Sequence, residues 1–233
     1  GLLAVWLLIS SMHTFNDVLD AKRDAEKFPM RPLPTGLVKR WEATTYALVM
    51  AGIAVAIANF VFSWICALIS VLVLTLGIVY TKYARDEVGF LTVAFIPGLI
   101  VVGGWAAVSP TTVLTPFPWL LYLFVLMHQI AHIIACEAHV PAKLFLVRPK
   151  PNTEAIIYGA CMVSMFFIGL YIYVLSEIHW LFLVILSIIT VLGLFSSVFL
   201  KEPRTLERGK KAFVSIVIYG LIYWIALSVF AII

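Results

Sequence analysis

Long runs of apolar residues, separated by short polar connections, form the pattern along the whole chain. Leu, Ile, Val, Ala and Phe follow one another in these runs without the period-two alternation that marks the strands of a membrane barrel. Each run has about the 20 residues that a helix needs to cross the hydrocarbon core of a bilayer. The pattern therefore predicts about eight membrane-spanning helices. Their expected positions are residues 1–18, 42–62, 64–82, 88–108, 117–138, 154–175, 178–199 and 212–232.

The composition agrees with a membrane protein. Of the 233 residues, 63% are apolar and 12% are charged, and the mean hydropathy is +1.07. Soluble domains are about half apolar and about a quarter charged, so these values exclude a soluble globular domain. We expect a single all-α transmembrane domain, a multi-span helical bundle, over residues 1–233. The chain begins with Gly1 and enters an apolar run directly, which indicates a truncated N-terminus.

Basic residues lie in every second connection between the predicted spans. All 16 of them fall in four connections, and the connections near residues 62–64, 109–118 and 176–179 contain none. The positive-inside rule therefore predicts that the four basic connections face the cytoplasm. The sequence contains no contiguous basic helix or patch motif, so the net charge of +4 indicates topology and contact with anionic lipids rather than with nucleic acid. The basic residues are Lys22, Arg23, Lys27, Arg31, Lys39, Arg40, Lys82, Arg85, Lys143, Arg148, Lys150, Lys201, Arg204, Arg208, Lys210 and Lys211.

Four polar residues lie close together in the sequence at and just after the end of the first predicted span: Asn16, Asp17, Asp20 and Asp24. The three carboxylates fall at relative positions 0, 3 and 7, so a helix places them on one face. Carboxylates so close together are costly at a membrane helix end unless a cation or a basic side chain lies among them. Magnesium suits such a site because a few carboxylates hold it while waters and phosphate oxygens fill its other positions. The alternative is a solvated helix end whose charge is balanced by the basic residues at 22–23.

A proline-rich segment follows directly, at residues 28–36. Because proline fixes φ and restricts the residue before it, the three prolines predict a rigid extended turn. Such a turn would hold Arg31 in place, and its planar guanidinium could bind a diphosphate beside a metal ion. The alternative is that Arg31 supplies ordinary positive-inside charge.

Together, these two motifs resemble the first signature of the UbiA-type intramembrane prenyltransferases. The matching residues are the run Asn16-Asp17-x-x-Asp20-x-x-x-Asp24 and the turn Arg31-Pro32-Leu33-Pro34-Thr35-Gly36. Members of that family have nine transmembrane helices around a central cavity, and the first motif follows the second helix. The resemblance therefore implies a UbiA-like fold in which the spans of this chain correspond to helices two to nine, with the first family helix missing.

The resemblance also implies a reaction, the transfer of an isoprenyl group from a prenyl diphosphate to an aromatic or other lipid-like acceptor, such as a quinone precursor or a tetrapyrrole. Magnesium would assist by neutralising the diphosphate as it leaves. By position, Asp17, Asp20 and Asp24 would be the catalytic residues and the magnesium ligands. The residues expected to contact the diphosphate are Asn16, Arg31, Lys82 and Arg85. For the last two, ordinary positive-inside charge is the alternative.

The second acidic motif of the family, a DxxxD pattern, is absent from the region that ends the fifth predicted span. Residues 128–144 hold one carboxylate, Glu137, and no aspartate. Two interpretations stay open. In the first, one metal site suffices for catalysis, and Glu137 and nearby histidines replace part of the lost acids. In the second, the chain is a catalytically degenerate homologue that binds a lipid, quinone or pigment, or is a subunit of a larger membrane complex.

Two histidines of the fifth span, His128 and His132, lie four residues apart and share one helical face. Imidazoles in this arrangement could bind a metal ion or a tetrapyrrole in a membrane cavity. The alternative is hydrogen bonding between helices, which is common for polar side chains at this depth.

Overall fold

The computed structural model describes residues 1–84, 89–139, 150–201 and 205–230, apart from the side chains of residues 27, 83–84 and 89–92. The described residues are mostly helical, and no strand occurs among them. The predicted all-α fold is therefore confirmed. The α-helices of this part of the chain are α1 (Leu2–Lys27), α2 (Arg40–Ile57), α3 (Trp64–Val79), α4 (Gly89–Val108), α5 (Pro116–His139), α6 (Pro151–Leu175), α7 (Leu181–Ser196) and α8 (Leu206–Phe230).

The helices have the length and hydropathy of membrane spans. In the described ranges, 7 helical segments are long and apolar enough to cross a bilayer. The apolar stretch of α4 over its described side chains, Val93–Val108, is shorter. Large apolar side chains are exposed on the helix surfaces, among them Trp64 at 69% and Leu192 at 59%, as a lipid-facing surface requires. The protein is an integral membrane protein.

Short irregular helical segments extend three of the helices. A π-helical segment, Ala58–Phe62, continues α2, and a 3₁₀ turn, Ser197–Leu200, continues α7. A second π-helical segment, Tyr80–Ala84, continues α3 and contains Thr81 and Lys82. Single π-helical turns are frequent at functional sites.

The first helix is longer than its apolar pattern predicts. Hydropathy indicates an end near residue 18, whereas α1 continues to Lys27. The backbone N–H of Phe28 then bonds to the carbonyl of Asp24 at 2.7 Å and closes the helix. Hydropathy marks the edge of the bilayer, and polar residues can continue a helix into the aqueous phase. As a result, all three predicted acidic ligands lie on one continuous helix.

The proline-rich segment is a turn, as the sequence predicts, but the turn is compact rather than extended. Backbone hydrogen bonds join Arg31 N–H to Phe28 C=O and Thr35 N–H to Arg31 C=O, both at 3.0 Å. Gly36 closes the series with φ at 75°, in the left-handed region that glycine adopts without strain. Proline has the same fixed φ in a turn as in an extended segment, so its presence alone does not separate the two.

The described chain divides into two compact units. The first comprises Gly1–Glu87 and Leu99–Thr115. In it, α1 packs against α2 and α3. The Ser11 hydroxyl donates to the carbonyl of buried Ala47 at 2.8 Å, and a Cβ added to Gly77 would lie 2.7 Å from the Met12 side chain. Small residues thus let these helices approach closely, as is usual in membranes.

The second unit comprises Val88–Gly98 and Pro116–Ile233. Here α5 and α7 each pack against α6 and α8. Phe124 of α5 stacks on Tyr223 of α8 with ring centroids 3.6 Å apart, and Leu186 of α7 packs against Gly169 of α6. The expected single transmembrane domain over residues 1–233 stays a prediction.

Candidate active site

Arg31 lies among the carboxylates at the end of α1. Its Nη1 donates a hydrogen bond to Oδ2 of Asp24 at 2.6 Å and lies 3.4 Å from Oδ1 of Asp17. The Asp24 side chain is 9% exposed, whereas those of Asp17 and Arg31 are 53% and 46% exposed. Because a charge-assisted bond is stronger where water is excluded, the Asp24 contact dominates. The guanidinium thus offsets the repulsion between two of the three acids.

Local structure on both sides holds Arg31 in this position. The Thr35 hydroxyl donates to the Arg31 carbonyl at 3.0 Å within the proline-rich turns. The guanidinium carbon also lies 4.6 Å from the centroid of the Phe28 ring, in cation–π contact. The segment therefore positions Arg31 as the sequence predicted, although by compact turns.

A small cavity opens beside the ion pair and has a volume of about 160 Å³. Two carboxylates and the Arg31 guanidinium form its charged wall, and the proline-rich turns and α2 supply an apolar wall. The lining residues are Thr14, Asp17, Asp24, Arg31, Pro32, Leu33, Pro34, Val38 and Ala43. Such a cavity offers charge to one end of an amphiphilic ligand and apolar surface to the other.

The acidic face of α1 has the donor chemistry of a magnesium site. Carboxylate and amide oxygens are the ligands that this hard cation prefers, and Asp17, Asp20 and Asp24 carry them on one face. In the described part of the chain, no three His, Cys, Asp or Glu side chains already converge as metal ligands. Arg31 places its positive charge between two of the acids instead. The donor set therefore fits magnesium, and the ligand roles stay a prediction.

Thr81 orients Asn16, a contact that the sequence did not reveal. The Thr81 hydroxyl lies 3.1 Å from Oδ1 of Asn16 and 2.9 Å from the carbonyl of Gly77. Thr81 belongs to the π-helical segment after α3, far from Asn16 in sequence. The sequence feature that could have indicated Thr81 is a hydroxyl residue beside Lys82 at the polar end of an apolar run. The predicted contact of Asn16 with a diphosphate stays a prediction.

Lys82 lines a second cavity of about 380 Å³, here called the basic cavity. Its lining residues are Val18, Leu19, Lys22, Arg40, Thr81 and Lys82. It shares no lining residue with the cavity beside Arg31. The predicted diphosphate contact of Lys82 stays a prediction, and Arg85 lies outside the described residues.

The candidate residues of α5 lie in the second unit. His128 Nε2 is 3.1 Å from the backbone carbonyl of Ile216 in α8, which is the hydrogen bond between helices that was one of the two alternatives. The His132 ring lies nearly parallel to that of His128, with centroids 6.3 Å apart, and also contacts Phe213 at 5.2 Å. Glu137 is buried at 2% exposure. Residues 140–144 of the region without a second acidic motif lie outside the described residues.

Two groups of enzymes resemble this sequence. The digeranylgeranylglyceryl phosphate synthase of Methanobrevibacter smithii is 28% identical over 231 residues, which is 90% of this chain and 78% of that protein. The protoheme IX farnesyltransferase of Xanthomonas axonopodis pv. citri is 32% identical over 122 residues, 47% of this chain. The matched region spans only 38% of that farnesyltransferase, and 40% of the one from Hyphomonas neptunium.

Two solved structures share the fold. A chain solved in work on digeranylgeranylglyceryl phosphate synthase in membranes superimposes with a TM-score of 0.80 at 20% identity, over 99% of this chain and 84% of that one. The apo structure of a UbiA homologue from Aeropyrum pernix K1 gives a TM-score of 0.72 at 18% identity, over 96% and 87%. The profile of the UbiA prenyltransferase family matches residues 1–229. The predicted resemblance is thereby confirmed, and the chain belongs to the UbiA prenyltransferase family.

Proposed function

We propose that this protein moves an isoprenyl group from a prenyl diphosphate to an aromatic or other lipid-like acceptor, such as a quinone precursor or a tetrapyrrole. The observation that carries the proposal is the group formed by Asp17, Asp24 and Arg31 at the end of α1, in a chain of this family. Charged groups beside an apolar wall suit a substrate that has a diphosphate head and an isoprenoid tail.

Asp17, Asp20 and Asp24 are the proposed magnesium ligands, and Asn16 lies beside them. When bound, magnesium neutralises the diphosphate and makes it a better leaving group. The Thr81 hydroxyl fixes the Asn16 amide, so that its orientation is set before a ligand arrives. Asp24, the most buried of the three acids, anchors the group through Arg31.

Arg31 exchanges partners when the diphosphate binds. In the structure, its guanidinium is shared between Asp24 and Asp17. If Asp17 and Asp24 held a magnesium ion, the guanidinium would be free to offer its planar donors to the phosphate oxygens. The same side chain is therefore a counter-ion for the acids before binding and a diphosphate ligand afterwards.

The reaction breaks the bond between the isoprenyl carbon and the diphosphate oxygen, and both electrons leave with the diphosphate. The acceptor forms a new bond to that carbon and loses a proton to the released diphosphate or to solvent. Apolar side chains of the cavity wall, such as Leu33 and Val38, keep water from capturing the isoprenyl group.

The proposed reaction takes place at the cytoplasmic face of the membrane. The acids lie at the end of α1 and Arg31 lies in the basic connection that follows, and the positive-inside rule assigns such connections to that side. The prenyl diphosphate and the hydrophobic acceptor both reach the site from, or along, the membrane lipids.

The test is diphosphate release by the purified protein with magnesium, a panel of prenyl diphosphates, and candidate aromatic and tetrapyrrole acceptors. Asp20→Ala should abolish release and formation of the prenylated product. Glu26→Ala is the matched control, because Glu26 is an exposed acid of α1 on the face opposite to Asp17. The assigned site would be contradicted by an equal loss of diphosphate release in both variants, or by unchanged release in Asp20→Ala.

The alternative is a catalytically degenerate homologue that binds a lipid, quinone or pigment, or is a subunit of a membrane complex. The observation that favours it is the single carboxylate, Glu137, within residues 128–144. Folded protein that binds a non-hydrolysable prenyl diphosphate analogue but releases no diphosphate with any acceptor would support this alternative. Stoichiometric co-purification of a quinone, pigment or partner protein would identify its role.

A further inference from the structure

The basic cavity lies on the side of α1 that faces away from the acids. At 3.6 residues per turn, Lys22 is about 140° around the helix axis from Asp17 and about 200° from Asp20 and Asp24. The two cavities share no lining residue. A ligand of the basic cavity therefore does not occupy the cavity beside Arg31.

Three cations from three helix ends converge on this cavity. Lys22 lies near the end of α1, Arg40 is the first residue of α2, and Lys82 belongs to the π-helical segment after α3. All three side chains are exposed, and the described residues that line the cavity include no carboxylate. Like charges gathered from separate segments of a fold favour an anionic ligand.

The depth of the cavity indicates where this anion comes from. Arg40 and Lys82 are terminal residues of the apolar segments Arg40–Phe62 and Trp64–Lys82, and Lys22 lies in the last turns of Leu2–Glu26. Cations at the ends of membrane spans lie at the level of the lipid headgroups. Val18 and Leu19 add apolar surface on the membrane side of the cavity. The cavity thus combines cations with an apolar surface at the level of a phospholipid phosphate.

We propose that the basic cavity binds the headgroup of an anionic phospholipid. Lys22, Arg40 and Lys82 contact the phosphate, and Val18 and Leu19 contact the first part of the acyl chain. Thr81 lines this cavity and also bonds to Asn16. The lipid therefore lies one side chain away from the acidic motif, without being a substrate.

The experiment measures the lipid retained by the purified protein after exchange into detergent with equal amounts of phosphatidylglycerol and phosphatidylcholine. Native mass spectrometry counts the bound molecules. The wild-type protein should retain phosphatidylglycerol preferentially. Replacement of Lys22, Arg40 or Lys82 by Gln should weaken retention by about fivefold for each charge removed. Lys201→Gln, at an exposed lysine beyond α7, is the matched control and should have no effect.

Conservative variants separate a lost contact from a damaged fold. Lys22→Arg and Lys82→Arg keep the charge and should retain phosphatidylglycerol, while the triple Gln variant should lose it and still elute as a single species. Equal retention of both lipids by the wild-type protein, or unchanged retention by the triple variant, would overturn the proposal. The measurement involves no turnover, so its outcome is independent of the proposed transferase reaction.

Two competitors identify the source of the anion. Inorganic phosphate at millimolar concentration should leave the phospholipid in place, because it lacks the acyl chain. A non-hydrolysable prenyl diphosphate analogue with magnesium should also leave it in place if the two cavities are distinct. Displacement by phosphate would assign the cavity to a soluble anion, and displacement by the analogue would assign Lys82 to the diphosphate site. Either result would overturn the lipid proposal.

Discussion

The guanidinium of Arg31 and the carboxylate of Asp24 form a 2.6 Å ion pair that joins the end of α1 to the turns that follow it. Asp24 is the most buried acid of the motif, and Arg31 also lies 3.4 Å from Asp17. The pair is thus formed between the two sequence motifs that resemble the first signature of the family. It makes Arg31 an internal competitor for any cation that binds the acids.

Replacement of Arg31 by Gln should have opposite effects on two ligands. Magnesium should bind more tightly, on the order of fivefold, because the competing charge is removed. The non-hydrolysable prenyl diphosphate analogue should bind more weakly, because its phosphate loses a bidentate donor. Isothermal titration calorimetry with each ligand measures both changes in affinity. Arg31→Lys is the comparison variant, because it keeps the charge but loses the planar guanidinium. If both affinities fall together, the ion pair is a structural support rather than a competitor.

The Thr81 hydroxyl should affect the binding of the prenyl diphosphate analogue by orienting Asn16. Thr81→Val removes the bond to Asn16, and we expect the affinity for the prenyl diphosphate analogue to fall by about threefold to tenfold as the amide loses its orientation. Thr75→Val is the matched control, because the Thr75 hydroxyl donates to Val71 within its own helix. A similar loss in both variants would show a general effect of threonine replacement in α3 and its π-helical extension.

Two glycines of the first unit should respond oppositely to alanine. A Cβ on Gly77 would lie 2.7 Å from the Met12 side chain, so Gly77→Ala forces that side chain out of its packing position and should cost about 1 kcal/mol or more. Gly52 has no neighbour within 4 Å of an added Cβ, and alanine there should be neutral or stabilising by up to about 1 kcal/mol. Thermal unfolding in detergent checks the pair. Transition temperatures that move in the same direction would contradict the close α1–α3 contact.

His128 provides the test between a ligand and a packing histidine. Nε2 lies 3.1 Å from the Ile216 carbonyl, and a glutamine can keep a donor there. His128→Gln should therefore change stability by less than about 1 kcal/mol, and His128→Phe should cost more because the Ile216 carbonyl loses its side-chain donor from α5. Elemental and absorbance analysis of the purified protein completes the test. A stoichiometric metal ion or pigment that disappears in the Gln variant would show that His128 is a ligand.

The fold follows from the sequence almost directly, because the bilayer requires each span to be long, apolar and hydrogen-bonded within itself. The apolar runs predict the centres of all eight helices, and those helices lie in the described residues. The end of α1 was misplaced because leaving the membrane does not end a helix. The sequence predicted the proline-rich turn but not its compact shape, because proline permits both turned and extended backbones.

Some features of the candidate site can also be predicted from the sequence, whereas others depend on the tertiary structure. Periodicity is a local property, so the sequence alone places Asp17, Asp20 and Asp24 on one helical face. The resemblance of the two motifs to a family signature is likewise read from the sequence. Only the tertiary structure decides which partners those residues have. Arg31 pairs with Asp24 because of the path that the intervening turns take. The meeting of Lys22, Arg40 and Lys82 depends on how three helices pack. Sequence periodicity does not predict these contacts, because contacts between distant segments are determined by the packing of whole helices.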